Sequence, residues 1–473
     1  MKQKNLIYIF ADQWRSSSVG FVGEEAVDTP NIDQFREEAT NCDQVFSSFP
    51  LCSPHRASLM TGKYPLSAGF FTNAKPGLKV RLQDHEVGVG DTLKKAGYQT
   101  AYIGKWHLDE PEVNHEEEPV SGARNWDAFT PPGPRRHGFD YWYSYGTYDE
   151  HLHPHYWQDT PEMIQVDEWS VAHETEKAIE YLEEKRQPDQ PFAMYLSWNP
   201  PHSPYEKVPE KYLDLYKDKD ISLRKNVKVE NLHHHTGEQE PYDKEELTLA
   251  TKRYYAAISG IDDHFSKLMD YLKETGLYED TVIVLSSDHG DMLGSQGLMG
   301  KHVWYEEAIH IPCIFRVPGN NKETCHTIMA SQDMMPTVLG LLDIAIPETV
   351  EGEDCSSYIL TDQEDYDRVS FIVACPGKAT LVEKYKEHNL DSKDFGWRAV
   401  RTQTYTYVMS LGYDIVADKQ RHLYNIAEDP YQMNPLDVEK AENQEIIKNL
   451  EGKLTNWMKE QKDGFIENWL AQD

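Results

Sequence analysis

Cys52, Pro54 and Arg56 are spaced two residues apart in the stretch LCSPHRASLMTGKYP, residues 51–65. Proline is favoured at a first helical position, where its missing N–H costs nothing. The spacing therefore predicts a helix that starts at Pro54 and stops at Gly62, with Cys52 just ahead of it. There the cysteine meets unpaired amides and a partial positive charge. Arg56, one turn in, adds a planar multi-donor cation suited to an oxyanion. An isolated cysteine is ordinarily a small buried hydrophobe, and an isolated arginine a surface cation. Here a nucleophile, a helix N-terminus and a guanidinium converge on one point, which suits the transfer of an anionic group.

Two apolar runs, KNLIYIFA (residues 4–11) and TVIVLSS (residues 281–287), are β-branched or aromatic and too short for helices. Both read as buried strands. One delivers Asp12 and Gln13 at its end, the other Asp288, His289 and Gly290, and open α/β sheets collect ligands at strand carboxyl ends. Either set alone is an ordinary turn or cap. Together Asp12, Gln13, Asp288 and His289 form a candidate cation cage beside Cys52. Lys105 and His107, two apart in GKWHL, would point the same way from an extended segment. Pro200, Pro201 and Pro204 surround His202 and restrict its backbone. Lys301, after a glycine, and His302 complete the inward-facing candidates.

The elements that must hold these residues alternate between helix and strand. Helices are expected at 31–39, 90–96, 173–185, 244–275 (Tyr254, Ile258, Ile261 and Phe265 on its core face), 331–342 and 443–460. Strands are expected at 41–48, 98–104 and 191–199. After residue 360, WRAVRTQTYTYVMS alternates as a half-exposed strand would. The expected fold is α/β: a large mixed sheet sandwiched by helices (residues 1–365), then a smaller antiparallel-sheet subdomain with a helix on it (residues 366–473). No internal repeat occurs, and Gly88-x-Gly90 lacks the third glycine and preceding strand of a dinucleotide site.

Residues 109–165 are rich in Pro, Gly, His and aromatics, and a long irregular segment in a compact domain is usually functional. Arg136, His151, His155 and Trp157 are the expected substrate-contacting residues there, with Asn73 as a further candidate. Residues 217–243 read as an exposed insertion, and His233 to His235 within it as solvated.

A formal charge of −33 over 473 residues argues against nucleic-acid or anionic-membrane partners. No apolar run reaches the roughly 18 residues of a membrane span. LIYIFA is too short for a secretory core, and the six cysteines show no metal or disulfide spacing. The chain is expected in the cytoplasm with reduced thiols, or in the periplasm had a signal peptide been removed.

C-x-P-x-R followed by S-L-M-T-G resembles the signature of the type I sulfatases, with His55 in place of the usual small residue. Asp12, GKWHL, His202, SDHG and Lys301 follow in that family's order and extend the resemblance over most of the chain. It implies the alkaline-phosphatase-like fold of bacterial sulfatases and a formylglycine made from Cys52 by a maturation enzyme. It further implies Ca²⁺ on Asp12, Gln13, Asp288 and His289, although an imidazole ligand suits Mn²⁺ better and Mg²⁺ is also open. By the same resemblance Arg56, Lys105 and Lys301 surround the sulfuryl oxygens. His202 with Lys301 stands at the leaving oxygen, and His107 is the base for sulfate release. The expected substrate is a small or lightly sulfated carbohydrate, with aryl or choline sulfate as alternatives. A Gln–His pair also occurs in phosphonate monoester hydrolases that share C-x-P-x-R, but GKWHL favours the sulfatases. A non-catalytic sulfoglycan-binding protein is the reading of another class.

Overall fold

β1 (Asn5–Asp12) is buried along its whole length. Alternate side chains serve two different cores: Ile7, Ile9 and Ala11 face one, Leu6, Tyr8 and Phe10 the other. A strand covered on both faces needs this continuous apolar run, and each fully buried Leu or Ile contributes about 1.5–3 kcal/mol. The structure is a computed structural model that describes residues 3–234, 237–416 and 418–471, so His235 lies outside the described residues.

Seven further strands join β1 in the large sheet. They are β2 (Thr40–Cys42), β3 (Gln99–Lys105), β4 (Tyr141–Tyr145), β5 (Phe192–Pro201), β7 (Thr281–Ser287), β9 (Cys313–Arg316) and β10 (Thr324–Cys325). Between them in sequence come the short β6 (His233–His234) and β8 (Leu298–Met299), which pair with each other. The order in the sheet is β10-β2-β9-β7-β1-β5-β3-β4, with β9 antiparallel to both its neighbours and the rest parallel. Helices α1 (Pro30–Arg36), α4 (Ser170–Glu180) and α5 (Lys244–Glu274) cover one face. Helices α2 (Cys52–Thr61), α3 (Val89–Lys95) and α6 (Met334–Leu341) cover the other.

The C-terminal part is a four-stranded antiparallel sheet, β11 (Ser370–Ala374), β12 (Gly396–Arg401), β13 (Tyr405–Gly412) and β14 (Gln420–Asn425), packed by α7 (Gln444–Glu460). Its core also takes in Phe46, Phe49, Leu51 and Ile309 from the first part of the chain. β12 is therefore buried on both faces rather than half-exposed as its alternation suggested. Its two arginines are matched inside by carboxylates: Arg398 with Asp463 (2.5 Å) and Arg401 with Glu306 (2.8 Å).

Three other expectations are corrected. α2 begins at Cys52 itself, with Leu51 as the residue before it, so Pro54 is third in the helix. The 109–165 segment is not irregular throughout, because Tyr141–Tyr145 forms the edge strand of the large sheet. The 217–243 insertion is not simply solvated, since β6 is built into a ribbon with β8. Among the described residues no helix is long and apolar enough to cross a membrane.

Candidate functional site

Parallel pairing of β1 with β7 sets Ala11 opposite Ser287, so the two strands release Asp12 and Asp288 side by side. Gly290 lets the chain turn closely there: a Cβ on it would fall 2.0 Å from the Glu307 carbonyl oxygen. α2 brings its first turn to the same place. The Ser53 amide donates to Asn73 Oδ1 (2.9 Å) and the Ser53 hydroxyl to the His107 carbonyl (2.7 Å), which fixes the helix start. His55 points back into the protein, its Nδ1 within 3.0 Å of the hydroxyls of Ser47 and Ser331. Burial, then Arg56, push its pKa down to about 3, so it is neutral packing.

Cys52 Sγ lies 3.6 Å from Asp12 Oδ1 and 3.3 Å from His289 Nε2, and His289 Nε2 lies 3.5 Å from Asp288 Oδ1. Ligand atoms of Asp12, Cys52, Asp288 and His289 all fall within 4.8 Å of one another, and all four residues are buried. His289 Nδ1 donates to the Gly290 carbonyl (3.0 Å), which leaves a lone pair on Nε2 facing two carboxylates. Burial, then Lys301, hold this imidazole well below its usual pKa, so a proton does not relieve the clash. Burial opposes ionisation of Asp12, yet Lys105, His202 and Arg56 hold its carboxyl well below the usual range. Asp288, buried beside that charge, is pushed up to about 7. The carboxylates of Asp12 and Asp288 and the Nε2 lone pair of His289, at this spacing, fit a divalent cation. Burial, then Asp12, also push the Cys52 thiol up to about 12, so an unaltered Cys52 is not a thiolate at neutral pH.

Arg56 lies beneath this centre. Its Nη2 pairs with Asp12 (3.0 Å) and Asp288 (3.2 Å), and its Nη1 donates to the Lys105 carbonyl (2.7 Å) and Ser197 Oγ (2.8 Å). Lys105 closes β3, where Gly104 (φ 98°) admits the Ser197 carbonyl to a spot only 2.1 Å from where a Cβ would sit. Lys105 Nζ bridges Asp12 Oδ2 (2.8 Å) and Asn199 Oδ1 (2.9 Å). His107 takes φ 53°, so the segment is not extended and Lys105 and His107 do not simply share a face. His107 Nε2 donates to the Ala74 carbonyl (3.1 Å), while its buried Nδ1 has no hydrogen-bond partner. Burial, then Lys105, push its pKa well down, so Nδ1 is an unprotonated acceptor.

Across the centre, Lys301 Nζ donates to His202 Nε2 (2.8 Å) and to Gln13 Oε1. Gln13 Nε2 in turn donates to Asp291 Oδ2 (2.6 Å), which also accepts from Tyr205 OH (2.5 Å). A cavity of about 700 Å³ opens above these groups. Cys52, Asn73, Lys105, His107, His202 and Lys301 line it, with Trp126, Tyr148, Asp149, Glu150, His234, Glu240 and Tyr242 around them.

Residues 4–344 match the family described as Sulfatase. The chain belongs to the sulfatase family. Residues 294–460 also match the family described as N-sulphoglucosamine sulphohydrolase, C-terminal. An endo-4-O-sulfatase of Bacteroides thetaiotaomicron is 33% identical over 503 residues, spanning 99% of this chain and 94% of that protein. An ulvan-active sulfatase of Formosa agariphila is 34% identical over 472 residues, spanning 98% and 82%. A solved structure concerned with glycosaminoglycan metabolism by B. thetaiotaomicron superposes with a TM-score of 0.87 at 32% identity, covering 100% of this chain and 99% of that one. The phosphonate monoester hydrolase of Agrobacterium radiobacter shares the fold, with a TM-score of 0.74 at 19% identity over 96% and 95% of the two chains. This sulfatase is thus a sulfuric ester hydrolase with the alkaline-phosphatase-like architecture.

The structure brings Asp12, Gln13, Cys52, Lys105, His107, His202, Asp288, His289 and Lys301 of this sulfatase together as the sequence suggested. Arg56 joins them from below: its guanidinium bonds Asp12, Asp288, Ser197 and the Lys105 carbonyl, and it does not line the cavity. The expected substrate wall is corrected. Arg136 is buried and tied to Asp159 (2.7 Å) away from the cavity, His155 to Asp127 (2.6 Å), and Trp157 is fully buried with Nε1 on the Ser121 carbonyl (3.1 Å). His151 Nε2 donates to the His202 carbonyl (2.9 Å), so it supports the His202 loop from behind. His302 stacks on Phe49 (centroids 5.5 Å) outside the lining. The same loop does supply a wall, but through Trp126, Tyr148 and Asp149. Asn199 and Asp291 were also missed. Asn199 ends PFAMYLSWN, and Asp291 follows SDHG by one residue, so both lay at strand ends already marked as site-forming.

Proposed function

We propose that this sulfatase removes sulfate from a sulfated carbohydrate, with formylglycine at position 52 and a divalent cation on the surrounding acceptors. The observation that carries this reading is a buried trio of acceptors, Asp12, Asp288 and His289, around a non-ionised thiol, set beneath a cavity of about 700 Å³ walled by Trp126, Tyr148 and Tyr242. Two relatives that match 99% and 98% of this chain are an endo-4-O-sulfatase and an ulvan-active sulfatase, which supports a glycan substrate.

Asp12, Asp288 and His289, with position 52, would hold the cation, and Gln13 would join them by giving up its bond to Lys301. Calcium or magnesium suits the two carboxylates, while the His289 imidazole favours Mn²⁺. Such a cation would polarise the oxygen at position 52 and offset charge on the sulfuryl group. A hydrated aldehyde there supplies one hydroxyl for attack on sulfur and a second through which sulfate is later released. A maturation enzyme acting on Cys52 is the implied partner.

The chain's own residues then have distinct tasks. Lys105, fixed between Asp12 and Asn199, presents its charge to the sulfuryl oxygens as preorganised stabilisation. Arg56 holds both carboxylates in register. His202 and Lys301 share a proton on the side of the leaving oxygen. His107 offers an unprotonated Nδ1 to accept the proton lost on sulfate release.

Two measurements test this. Mass spectrometry of the peptide carrying residue 52, from protein made alongside a maturation enzyme, should show sulfur replaced by oxygen with loss of two hydrogens. The matured protein should hydrolyse defined monosaccharide and disaccharide sulfates faster than a phosphonate monoester. Preferred turnover of the phosphonate would overturn the reading.

A further inference from the structure

Residues 226–234 and 237–242 border the cavity that holds the sulfate centre. The first of these stretches runs along residues 294–299. Lys228 N donates to the Gly294 carbonyl (3.0 Å), Gln296 N to the Asn226 carbonyl (2.8 Å) and His233 N to the Gly297 carbonyl (3.1 Å), with Leu298 and Met299 in register with His233 and His234. Asn226 Nδ2 anchors the start on Glu307 Oε1 (2.7 Å) and the Tyr431 carbonyl (3.0 Å). The return is tied by Glu240 N to the Leu232 carbonyl (2.9 Å), around the buried Leu232. This strap puts His234, Glu240 and Tyr242 into the lining.

We infer that the strap is a second subsite, one that takes a neutral, hydroxyl-bearing sugar ring joined to the sulfated ring. The inference rests on the carbohydrate-sulfatase reading above and names the part of the substrate beyond the ester. Glu240 is half-buried, yet its carboxylate makes no side-chain hydrogen bond or ion pair with any described residue, and neither does the Tyr242 hydroxyl. Burial, then the neighbouring Glu238, push the Glu240 carboxyl up. Both groups line the cavity and are only partly buried, so a ligand's hydroxyls can take the place of the water that meets them. A carboxylate, a phenol and the His234 imidazole together can serve the hydroxyls of a pyranose, and the Tyr242 ring can lie against its apolar face.

Charge selects the kind of ring. Among the described residues that line the cavity there is no arginine, and the two lysines, Lys105 and Lys301, both belong to the sulfate centre. The remaining charged lining residues away from the histidines are Asp149, Glu150 and Glu240. A second sulfate or a uronate beside Glu240 would face a carboxylate in a lining whose two lysines serve the sulfate centre, whereas a neutral ring would meet hydrogen-bond partners.

The test compares kcat/KM for three esters that share one sulfated ring: the monosaccharide, a neutral disaccharide and a uronate-bearing disaccharide. Wild type should turn over the neutral disaccharide about tenfold or more better than the monosaccharide, the worth of a hydrogen bond to a charged group. Glu240→Gln and Tyr242→Phe, which keep shape, should shrink that ratio, and Glu240→Gln should narrow the gap between the neutral and uronate-bearing substrates. Equal losses on all three esters would reduce the strap to a structural support and overturn the subsite. A wild-type preference for the uronate-bearing ester that survives Glu240→Gln would also overturn the subsite. If wild type hydrolysed none of the esters, the carbohydrate-sulfatase reading would fall. Calorimetric binding of the unsulfated neutral disaccharide to wild type and Glu240→Gln would then decide the subsite separately, with equal binding or none counting against it.

Discussion

Lys301 Nζ donates to His202 Nε2 across 2.8 Å, while His202 Nδ1 gives its hydrogen to the Ser203 carbonyl at 2.6 Å. Burial, then Lys301, push the imidazole pKa down to about 3, so His202 is neutral and the proton between the two residues originates on the lysine. A shared proton next to the cavity matters only when the departing oxygen needs one. His202→Ala and Lys301→Ala should each lower kcat on a sugar sulfate by about 10²–10⁴-fold. On an activated aryl sulfate, whose phenolate leaves unaided, the loss should be much smaller. The double variant should cost little more than either single one, as expected of residues acting as a unit. Equal losses on the two substrates would place the pair away from the leaving group.

The three buried acceptors around Cys52 predict how stability responds to chelation. Asp12 and Asp288 are fully buried and repel each other, with Arg56 bonded to both. A cation that binds only the folded state stabilises it by mass action, about 2.7 kcal/mol when present at about a hundred times its Kd. Treatment with a chelator should lower the melting temperature of wild type. Asp288→Asn, which removes one of the repelling charges and one ligand, should show a smaller drop and a lower metal content by elemental analysis. A chelator that left wild-type melting unchanged would argue against an integral cation.

The Arg401–Glu306 contact joins the C-terminal sheet to the first part of the chain and gives a pH signature away from the centre. Burial alone would raise the Glu306 carboxyl, but Arg401, then His310, outweigh it and lower the pKa from 4.5 to about 2. A depressed folded pKa means stability that is present above about pH 4.5 and lost as the pH falls through about 2. Its size is about 3 kcal/mol by linkage. Urea unfolding of wild type and Glu306→Gln should differ most above pH 4.5, and the difference should shrink steadily towards pH 2. A constant difference across that range would mean that the carboxylate charge is not what Arg401 reads.

The centre was legible because its residues sit at the ends of strands that declare themselves. KNLIYIFA and TVIVLSS are continuous apolar runs, and the polar residues that follow have little choice of position. The Cys52 helix was equally clear, although its start was misplaced by two residues, since Pro54 fits a third position as well as a first. The cavity wall was not legible. Trp157, His155 and Arg136 resemble sugar-binding residues in type, but they are consumed by Ser121, Asp127 and Asp159, partners far away in sequence. The strap was missed for the opposite reason: a polar segment with no periodicity reads as solvent-exposed, and only its backbone pairing with residues 294–299 turns it inward. The positive φ of His107 and of Gln13 (69°) likewise leaves no mark in the sequence.

Two tryptophans of the same loop therefore separate binding from packing. Trp157 is fully buried, edge-on to His155 (4.8 Å between centroids), with its indole nitrogen on a backbone carbonyl. Trp157→Ala should remove about 3–5 kcal/mol of stability through the void it leaves. What folded protein remains should show an ordinary KM. Trp126 is 40% exposed, lines the cavity and carries the Lys75 ammonium 5.7 Å from its ring centre. Trp126→Ala vacates little core, so urea unfolding should shift by less than about 1 kcal/mol, the range of surface substitutions. Its effect belongs on the substrate: KM for a sulfated disaccharide should rise about tenfold with the loss of a stacking face. KM for a small aryl sulfate, which fills only the bottom of the cavity, should rise less. A stability loss at Trp126 matching that at Trp157, with no change in KM, would assign the exposed ring to packing and leave the wall to Tyr148 and Tyr242.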